Sequence, residues 1–291
     1  MSLFADFTEV DKFVADFEQV VKHPIKKRSS VYYTGVDLGT ACTVVATLDE
    51  NKRPVAGRYL YPEKPIVRDG MVVDYIGAVN IVRHMKEEIE EELGTELRWG
   101  AAAIPPGTDT LDGGAVRNVT ESAGFTITNL QDEPTAANNL LRIKNGAVVD
   151  IGGGTTGISI IKDGEVIFTD DEATGGTHFS LVLAGAYKES YEEAELYKRD
   201  PKNHDEIFPV LRPTVQKVAQ IIKEMVEGYD VDELVLVGGS CCLKGIEKEI
   251  ESWTGIPTHK PQNPLFITPL GIALSCTDEP KFRTEEAKNG S

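Results

Sequence analysis

The sequence predicts an α/β protein built as two similar halves around a shared cleft, and three features carry that expectation. One hairpin design occurs twice, as Val36-Asp37-Leu38-Gly39-Thr40-Ala41-Cys42-Thr43 and as Val149-Asp150-Ile151-Gly152-Gly153-Gly154-Thr155-Thr156. In each copy an apolar run ends on an Asp, passes a Gly/Thr turn and re-enters an apolar run (Val44, Val45; Ile158, Ile160, Ile161). The second half of the chain then repeats the plan of the first, strand-like runs followed by helical stripes. A strand–turn–strand hairpin presents backbone N–H groups at its tip, and glycines let a polyanion come close to that backbone. The Asp at each tip suits a hydrated divalent cation held beside phosphates. One such hairpin is a weak signal; two on opposite halves suggest a nucleotide held between twin domains.

Taken in order, residues 1–30 read as a separate amphipathic helix and linker. Phe4, Phe7, Val10, Phe13, Val14, Phe17, Val20 and Val21 recur at steps of three and four, and His23-Pro24 ends the stripe. Two readings stay open for it, a helix packed on the body or a docking helix for a partner or a bacterial microcompartment shell. The first domain is expected over 31–145. It begins with strands that turn near Asp49-Glu50-Asn51 and has a tight turn at Asp69-Gly70. A helix with Val82, Met85, Ile89 and Leu93 on one face follows, its acidic run Glu87 to Glu92 a solvated face. A buried strand, Ala101 to Ile104, stops at Pro105-Pro106-Gly107, and a helix through Val116, Val119 and Ala123 runs to Gly124. The second domain is expected over 146–277. It opens with strand–turn–strand from Ala147 to Phe168 around Asp163-Gly164, and Gly175-Gly176-Thr177 then starts a helix. A polar helical insertion falls at about 187–205, and a helix bearing Val215, Val218, Ile222 and Met225 leads to Leu234-Val235-Leu236-Val237-Gly238-Gly239-Ser240. Residues 278–291 read as a flexible, charged tail.

Bulk composition narrows the classes. At 291 residues the chain has room for two ordinary domains, and 41% hydrophobic with 26% charged residues is globular rather than disordered. A net charge of −17 argues against a nucleic-acid groove. No apolar run approaches the roughly 20 residues of a membrane span, and Met1 to Asp16 lacks the basic and apolar regions of a secretory signal. Cys42, Cys241, Cys242 and Cys276 have no paired CxxC spacing, so neither a zinc site nor a disulfide framework is supported, and a reducing cytoplasm is expected. Ser240 lacks the G-x-S-x-G elbow of a hydrolase nucleophile.

Five motifs in fixed order resemble the actin/DnaK-type chaperone/sugar-kinase ATPase superfamily. They are a first phosphate loop Asp37-Leu38-Gly39-Thr40, a first connecting helix Glu133-Pro134-Thr135-Ala136-Ala137, and a second phosphate loop Asp150-Ile151-Gly152-Gly153-Gly154-Thr155. An adenosine loop Val237-Gly238-Gly239-Ser240 and a second connecting helix Thr268-Pro269-Leu270-Gly271-Ile272-Ala273 complete the set. They span nearly the whole chain from Val31 to Ser275. Val67-Arg68-Asp69-Gly70, Ile104-Pro105-Pro106-Gly107-Thr108-Asp109 and Asp171-Glu172-Ala173-Thr174-Gly175-Gly176 narrow the resemblance to the chaperone-like proteins of ethanolamine utilisation.

That resemblance implies two actin-like (ribonuclease H-like) domains, each a mixed five-stranded sheet with helices, and implies ATP or ADP with Mg²⁺ in the cleft. Asp37 and Asp150 would hold the metal through water, and Glu133 would position the attacking water. Gly39, Thr40, Ala41 and Cys42, with Gly152, Gly153, Gly154 and Thr155, would face the phosphates, and Gly175 and Gly176 would stand near them. The run Glu195-Leu196-Tyr197-Lys198-Arg199 matches a Glu-x-x-Lys-Arg adenosine contact, so Glu195, Lys198 and Arg199, with Gly238, Gly239 and Ser240, would line the adenosine. On the residues alone, Glu133 also reads as a helix-start residue answering the dipole, and Lys198 and Arg199 as solvated charges. Cys241-Cys242 reads as small residues lining a buried turn.

Two departures from the chaperone pattern bear on activity. Gly157 stands where an Asp is usual, which points to slow hydrolysis, and the chain stops soon after the second connecting helix, without a peptide-binding domain. The function implied is an ATP-binding, slowly hydrolysing chaperone-like protein serving an ethanolamine ammonia-lyase system or microcompartment proteins. An actin-like filament or scaffold and a sugar-type kinase are the alternatives, because one scaffold hosts all three.

Overall fold

The computed structural model describes residues 7–26, 28–108 and 110–279. Phe4 of the helical stripe, Asp109 and the tail from 280 lie outside them. The chain opens with helix α1 (Thr8–Lys22) and strands β1 (Tyr33–Leu38), β2 (Thr43–Leu48) and β3 (Pro54–Leu60). A small ladder of β4 (Val67–Arg68) and β5 (Met71–Val72) turns at Asp69-Gly70, both in the left-handed region with φ 47° and 78°. Helix α2 (Tyr75–Leu93), strand β6 (Trp99–Ile104), helix α3 (Thr110–Ser122), strand β7 (Thr126–Asp132) and helix α4 (Glu133–Leu141) complete the first half.

The second half runs through β8 (Gly146–Ile151), β9 (Thr156–Lys162), β10 (Glu165–Glu172), α5 (Gly176–Tyr187), α6 (Tyr191–Arg199) and α7 (His204–Met225). It ends with β11 (Leu234–Val237), α8 (Ile246–Thr254), β12 (Thr258–His259) and α9 (Ile267–Ser275).

The two sheets share one topology. The first has the order β3-β2-β1-β6-β7 and the second β10-β9-β8-β11-β12. In each, the first three strands form an antiparallel meander and the last two join in parallel through helical crossovers. Central strands β2 and β8 are buried along their whole length, which is why their sequences read as continuous apolar runs rather than alternating ones. The expected two mixed five-stranded sheets with helices are what the chain forms.

The two connecting helices tie the halves together. Helix α4 leaves the first sheet yet packs on β8 and β9, and α9, the last helix, packs on β1 and β2. They cross so closely that a Cβ on Gly271 would lie 2.0 Å from the Ala136 carbonyl oxygen, and one on Gly35 of β1 would lie 2.5 Å from the Ala273 nitrogen. Small residues at these positions let helix backbones touch each other and the sheet.

Helix α1 is part of the same core. Val10, Val14, Phe17 and Val20 are buried in a cluster with Val44, Leu48, Leu141, Phe266 and Leu270. Its polar side reaches the second half, where Asp11 Oδ1 accepts from the Gln262 N–H at 2.8 Å and Glu18 Oε1 from Asn263 Nδ2 at 2.5 Å. The docking reading of this stripe required a free apolar face; that face is spent on the body. Among the described residues no helix is long and apolar enough to cross a membrane.

Candidate functional site

The twin hairpins bring their tips together across the cleft. Asp37 and Asp150 are each the last but one residue of their strand, in register with Val44 and Gly157. The second loop is closed by the Gly152 N–H donating to the Thr155 carbonyl at 3.0 Å. Its own carbonyls are held from behind: the Gly176 and Thr177 N–H groups donate to Gly152 O (3.0 Å) and Gly153 O (2.8 Å), and Ser240 Oγ donates to Gly152 O at 2.6 Å. A Cβ on Gly175 would sit 2.8 Å from that same Gly152 oxygen, so α5 can begin there only from a glycine. Gly175, Gly176 and Ser240 thus brace the loop. Facing it, a Cβ on Gly153 would be 2.8 Å from Ala41 Cβ, and one on Gly154 would be 2.7 Å from Thr40 Oγ1. The two tips touch.

Behind the tips stand the carboxylates. Burial, then the charge of Asp150, pushes the Asp37 carboxyl up to about 7, and burial also raises Asp150 against the lowering effect of the Thr268 hydroxyl. That hydroxyl donates to Asp150 Oδ2 at 2.5 Å. Gly238 lies under the same carboxylate with φ 90°, where a Cβ would come within 2.2 Å of Oδ1. Glu133 opens α4, but the capping bond belongs to its neighbour: Asp132 Oδ1 accepts from the Thr135 N–H at 2.9 Å and from Ser159 Oγ at 3.0 Å. The Glu133 carboxyl is raised well above its ordinary value by burial and by Asp150, Asp37, Asp171 and Asp132 in that order. It stands in the first turn of α4, where the dipole favours its charge, while burial and the neighbouring carboxylates oppose it.

A fourth acid, Asp171 at the end of β10, joins the group. Burial pushes it up to about 7, against a hydrogen bond from the Thr155 side chain. Among the described residues no group of three or more His, Cys, Asp or Glu is close enough to ligate a metal directly. Mutually repelling carboxylates of this kind fit a divalent ion that keeps its water shell, such as Mg²⁺, with the protein's oxygens in the outer sphere.

A pH dependence follows from the raised carboxyls. The folded state binds protons that the unfolded chain has released, so this stabilisation is full below about pH 4 and is lost as pH rises through about 7. Because Asp37 still borders the cleft, screening reduces the loss to about 1–3 kcal/mol. Thermal melts in EDTA are expected to fall across this window in the wild type and to fall less in Asp37→Asn; identical profiles would refute this.

On the other side of the tips lies a cavity of about 660 Å³, within the range of small-molecule sites. Its lining includes Ala41, Cys42, Gly153, Glu195, Lys198, Arg199, Gly239 and Ser240, but none of the carboxylates Asp37, Glu133 or Asp150. Lys198 and Glu195 are not solvated charges: their side chains are 12% and 16% exposed and pair at 2.7 Å. Lys198 Nζ also donates to Gly176 O and Ser180 Oγ, both at 2.8 Å, which links the insertion helix α6 to the start of α5. Arg199 crosses the cleft and stacks on the Tyr61 ring at 3.9 Å. Sequence reasoning missed Tyr61, Thr268 and Asp171. Tyr61 follows a strand with no motif around it, whereas Thr268 and Asp171 lie inside motifs whose strand register alone reveals what they face.

Twin sheets of one topology, crossed connecting helices and Asp-ended hairpins meeting tip to tip define a two-lobed, actin-like protein. A family model described as type IV pilus assembly protein PilM matches residues 130–264, and one described as MreB/Mbl protein matches residues 60–194. MreB5 of Spiroplasma citri bound to AMPPNP superposes with a TM-score of 0.67 at 18% identity, over 84% of this chain and 95% of that one. The likeness is far greater to the ethanolamine utilization protein EutJ of Salmonella typhimurium, 45% identical over 84% of this chain and 85% of that protein. The crystal structure of EutJ from Carboxydothermus hydrogenoformans superposes with a TM-score of 0.85 at 45% identity, covering 91% and 98% of the two chains. The chain belongs to the EutJ family.

Proposed function

We propose that this protein is a chaperone-like component of ethanolamine utilisation that binds Mg-ATP or Mg-ADP in its cleft and hydrolyses ATP slowly. The observation that carries the reading is the pair of Asp-ended hairpins meeting beside a nucleotide-sized cavity. The cavity takes the adenosine against Gly239, Ser240, Glu195, Lys198 and Arg199, and the loop amides of both hairpins take the phosphates. Mg²⁺ would supply charge neutralisation to the phosphates, and Asp37 and Asp150 would hold it through water. Glu133 orients the attacking water. Because Ala41 and Gly153 are in contact, phosphates entering between the tips must part the two halves about the α4–α9 crossing. Nucleotide binding is thereby coupled to a hinge, and the ammonia-lyase system or the microcompartment proteins in the cytoplasm are the partners on which such a motion acts. The relative bound to AMPPNP and the ethanolamine utilisation relatives support the ligand and the pathway respectively.

Calorimetry is expected to give Mg-dependent binding of ATP and ADP, with a higher melting temperature at saturation, because a ligand of the folded state alone must stabilise it. Asp150→Ala is expected to weaken binding and its Mg²⁺ dependence together. Glu133→Ala is expected to leave affinity nearly unchanged and lower kcat by about 10²-fold, since a water-positioning group acts in the transition state. No binding at millimolar Mg-nucleotide would overturn the reading, and unchanged turnover in Glu133→Ala would return that residue to a structural role.

A further inference from the structure

Gly157 and Asp171 face each other across the ladder of β9 and β10. A Cβ built on Gly157 would lie 3.2 Å from Asp171 Oδ1 and 3.0 Å from Pro106 Cδ, and its φ is not in the left-handed region. The space beside Gly157 that a side chain would take is therefore already claimed by a carboxylate from the next strand. That carboxylate is half-committed. The Thr155 hydroxyl holds its pKa down somewhat, whereas Oδ1 is buried and has no hydrogen-bond partner. A buried carboxylate oxygen without a donor is costly, and native proteins hold few of them. Asp171 stands in one row with the candidate site, since Gly157 pairs with Asp171 on one side and with Asp150 on the other.

A bulge puts it there. The register of β10 on β9 slips between Val166 and Phe168, so Ile167 is an extra residue that reverses the in–out alternation for everything after it. Of the run Asp170-Asp171-Glu172, Asp171 alone is half-buried; Asp170 and Glu172 are exposed.

We propose that Asp171 is a further catalytic carboxylate of the cleft, its Oδ1 accepting the proton of the water that attacks a nucleotide's terminal phosphate, in the place that Gly157 leaves open. In that step the water oxygen bonds to the terminal phosphorus and the bond from phosphorus to the bridging oxygen breaks. The electron pair stays on the nucleoside diphosphate, and the proton passes through Asp171 to solvent. Gly157 consequently marks a carboxylate moved to the neighbouring strand, and adding Asp at 157 to the wild type sets two carboxylates against each other and brings no gain.

The inference rests on the nucleotide reading above, and the test separates the two. Calorimetry with Mg-ATP and single-turnover phosphate release are measured on the full chain, as wild type, Asp171→Asn, Asp171→Gly and Gly157→Asp/Asp171→Gly. Asp171→Asn is expected to keep nucleotide affinity and to melt no lower than the wild type while turnover falls about 10²-fold. The double variant, with its carboxylate back on β9, is expected to recover at least tenfold over Asp171→Gly. Binding with undiminished turnover in Asp171→Asn would overturn this inference and leave the nucleotide reading standing, as would wild-type binding with no turnover. Absence of Mg-ATP binding in the wild type would overturn both.

Discussion

Phe17→Ala is expected to lower the unfolding free energy by about 3–5 kcal/mol, the usual range for emptying a phenylalanine from a packed core. Phe17 is fully buried, its ring meets Phe266 edge-on at a centroid distance of 5.2 Å, and its edge fills the space above Gly57 of β3. It therefore joins α1 both to the edge strand of the first sheet and to the loop leading into α9. Because a domain's whole stability is about 5–15 kcal/mol, the variant should melt well below the wild type or fail to fold. Removal of residues 1–22 should do the same, exposing Val44, Leu48 and Phe266, which α1 covers. Equilibrium urea unfolding measures both; a loss under about 1 kcal/mol in Phe17→Ala would mean that α1 rides on the body without supporting it. A helix so placed also lies beside the cleft, since Glu18 lines the candidate cavity.

How much of this was readable beforehand depended on sequence distance. The hairpins were legible because strand, Asp, glycine turn and returning strand are contiguous, and each chemical requirement is met within about eight residues. The five-stranded sheets and the helix order were legible from periodicity and from the superfamily resemblance. The α1 stripe was legible as a helix, but a stripe does not say what covers it, and both readings of it had the same pattern. Register was illegible. Three consecutive acids, Asp170, Asp171 and Glu172, give no sign of which one turns toward the cleft, and the bulge at Ile167 that decides it has no Gly or Pro to announce it. Contacts between distant segments were equally hidden, as with Arg199 on Tyr61 and Thr268 on Asp150. The expectation drawn from Gly157 rests on one position in a motif, and only the β9–β10 ladder shows that Asp171 stands opposite it.

The crossing of α4 and α9 allows the sharpest test of how the halves are joined. Gly271→Ala adds a single methyl group, yet its Cβ would be built 2.0 Å from the Ala136 carbonyl oxygen and 2.8 Å from the carbonyl carbon. Both contacts are with helix backbone, so no side chain can rotate away, and the helices must separate by more than an ångström. Since α9 also lies on Gly35 of β1, with Pro269 O only 2.6 Å from where a Cβ there would stand, α9 cannot retreat freely without loosening the sheet. Overpacking of this kind typically costs about 1–3 kcal/mol and more where backbone must move, so a loss of about 3 kcal/mol or more is expected. Gly185→Ala supplies the contrast. Gly185 sits inside α5 with nothing within 4 Å of its added Cβ, and there the same substitution should stabilise by about 0.5–1 kcal/mol by restricting the unfolded chain. Opposite signs from one chemical change place the effect in the crossing. If Gly271→Ala unfolds at the wild-type midpoint, the helices have room to part, and the close crossing is not what holds the two lobes together.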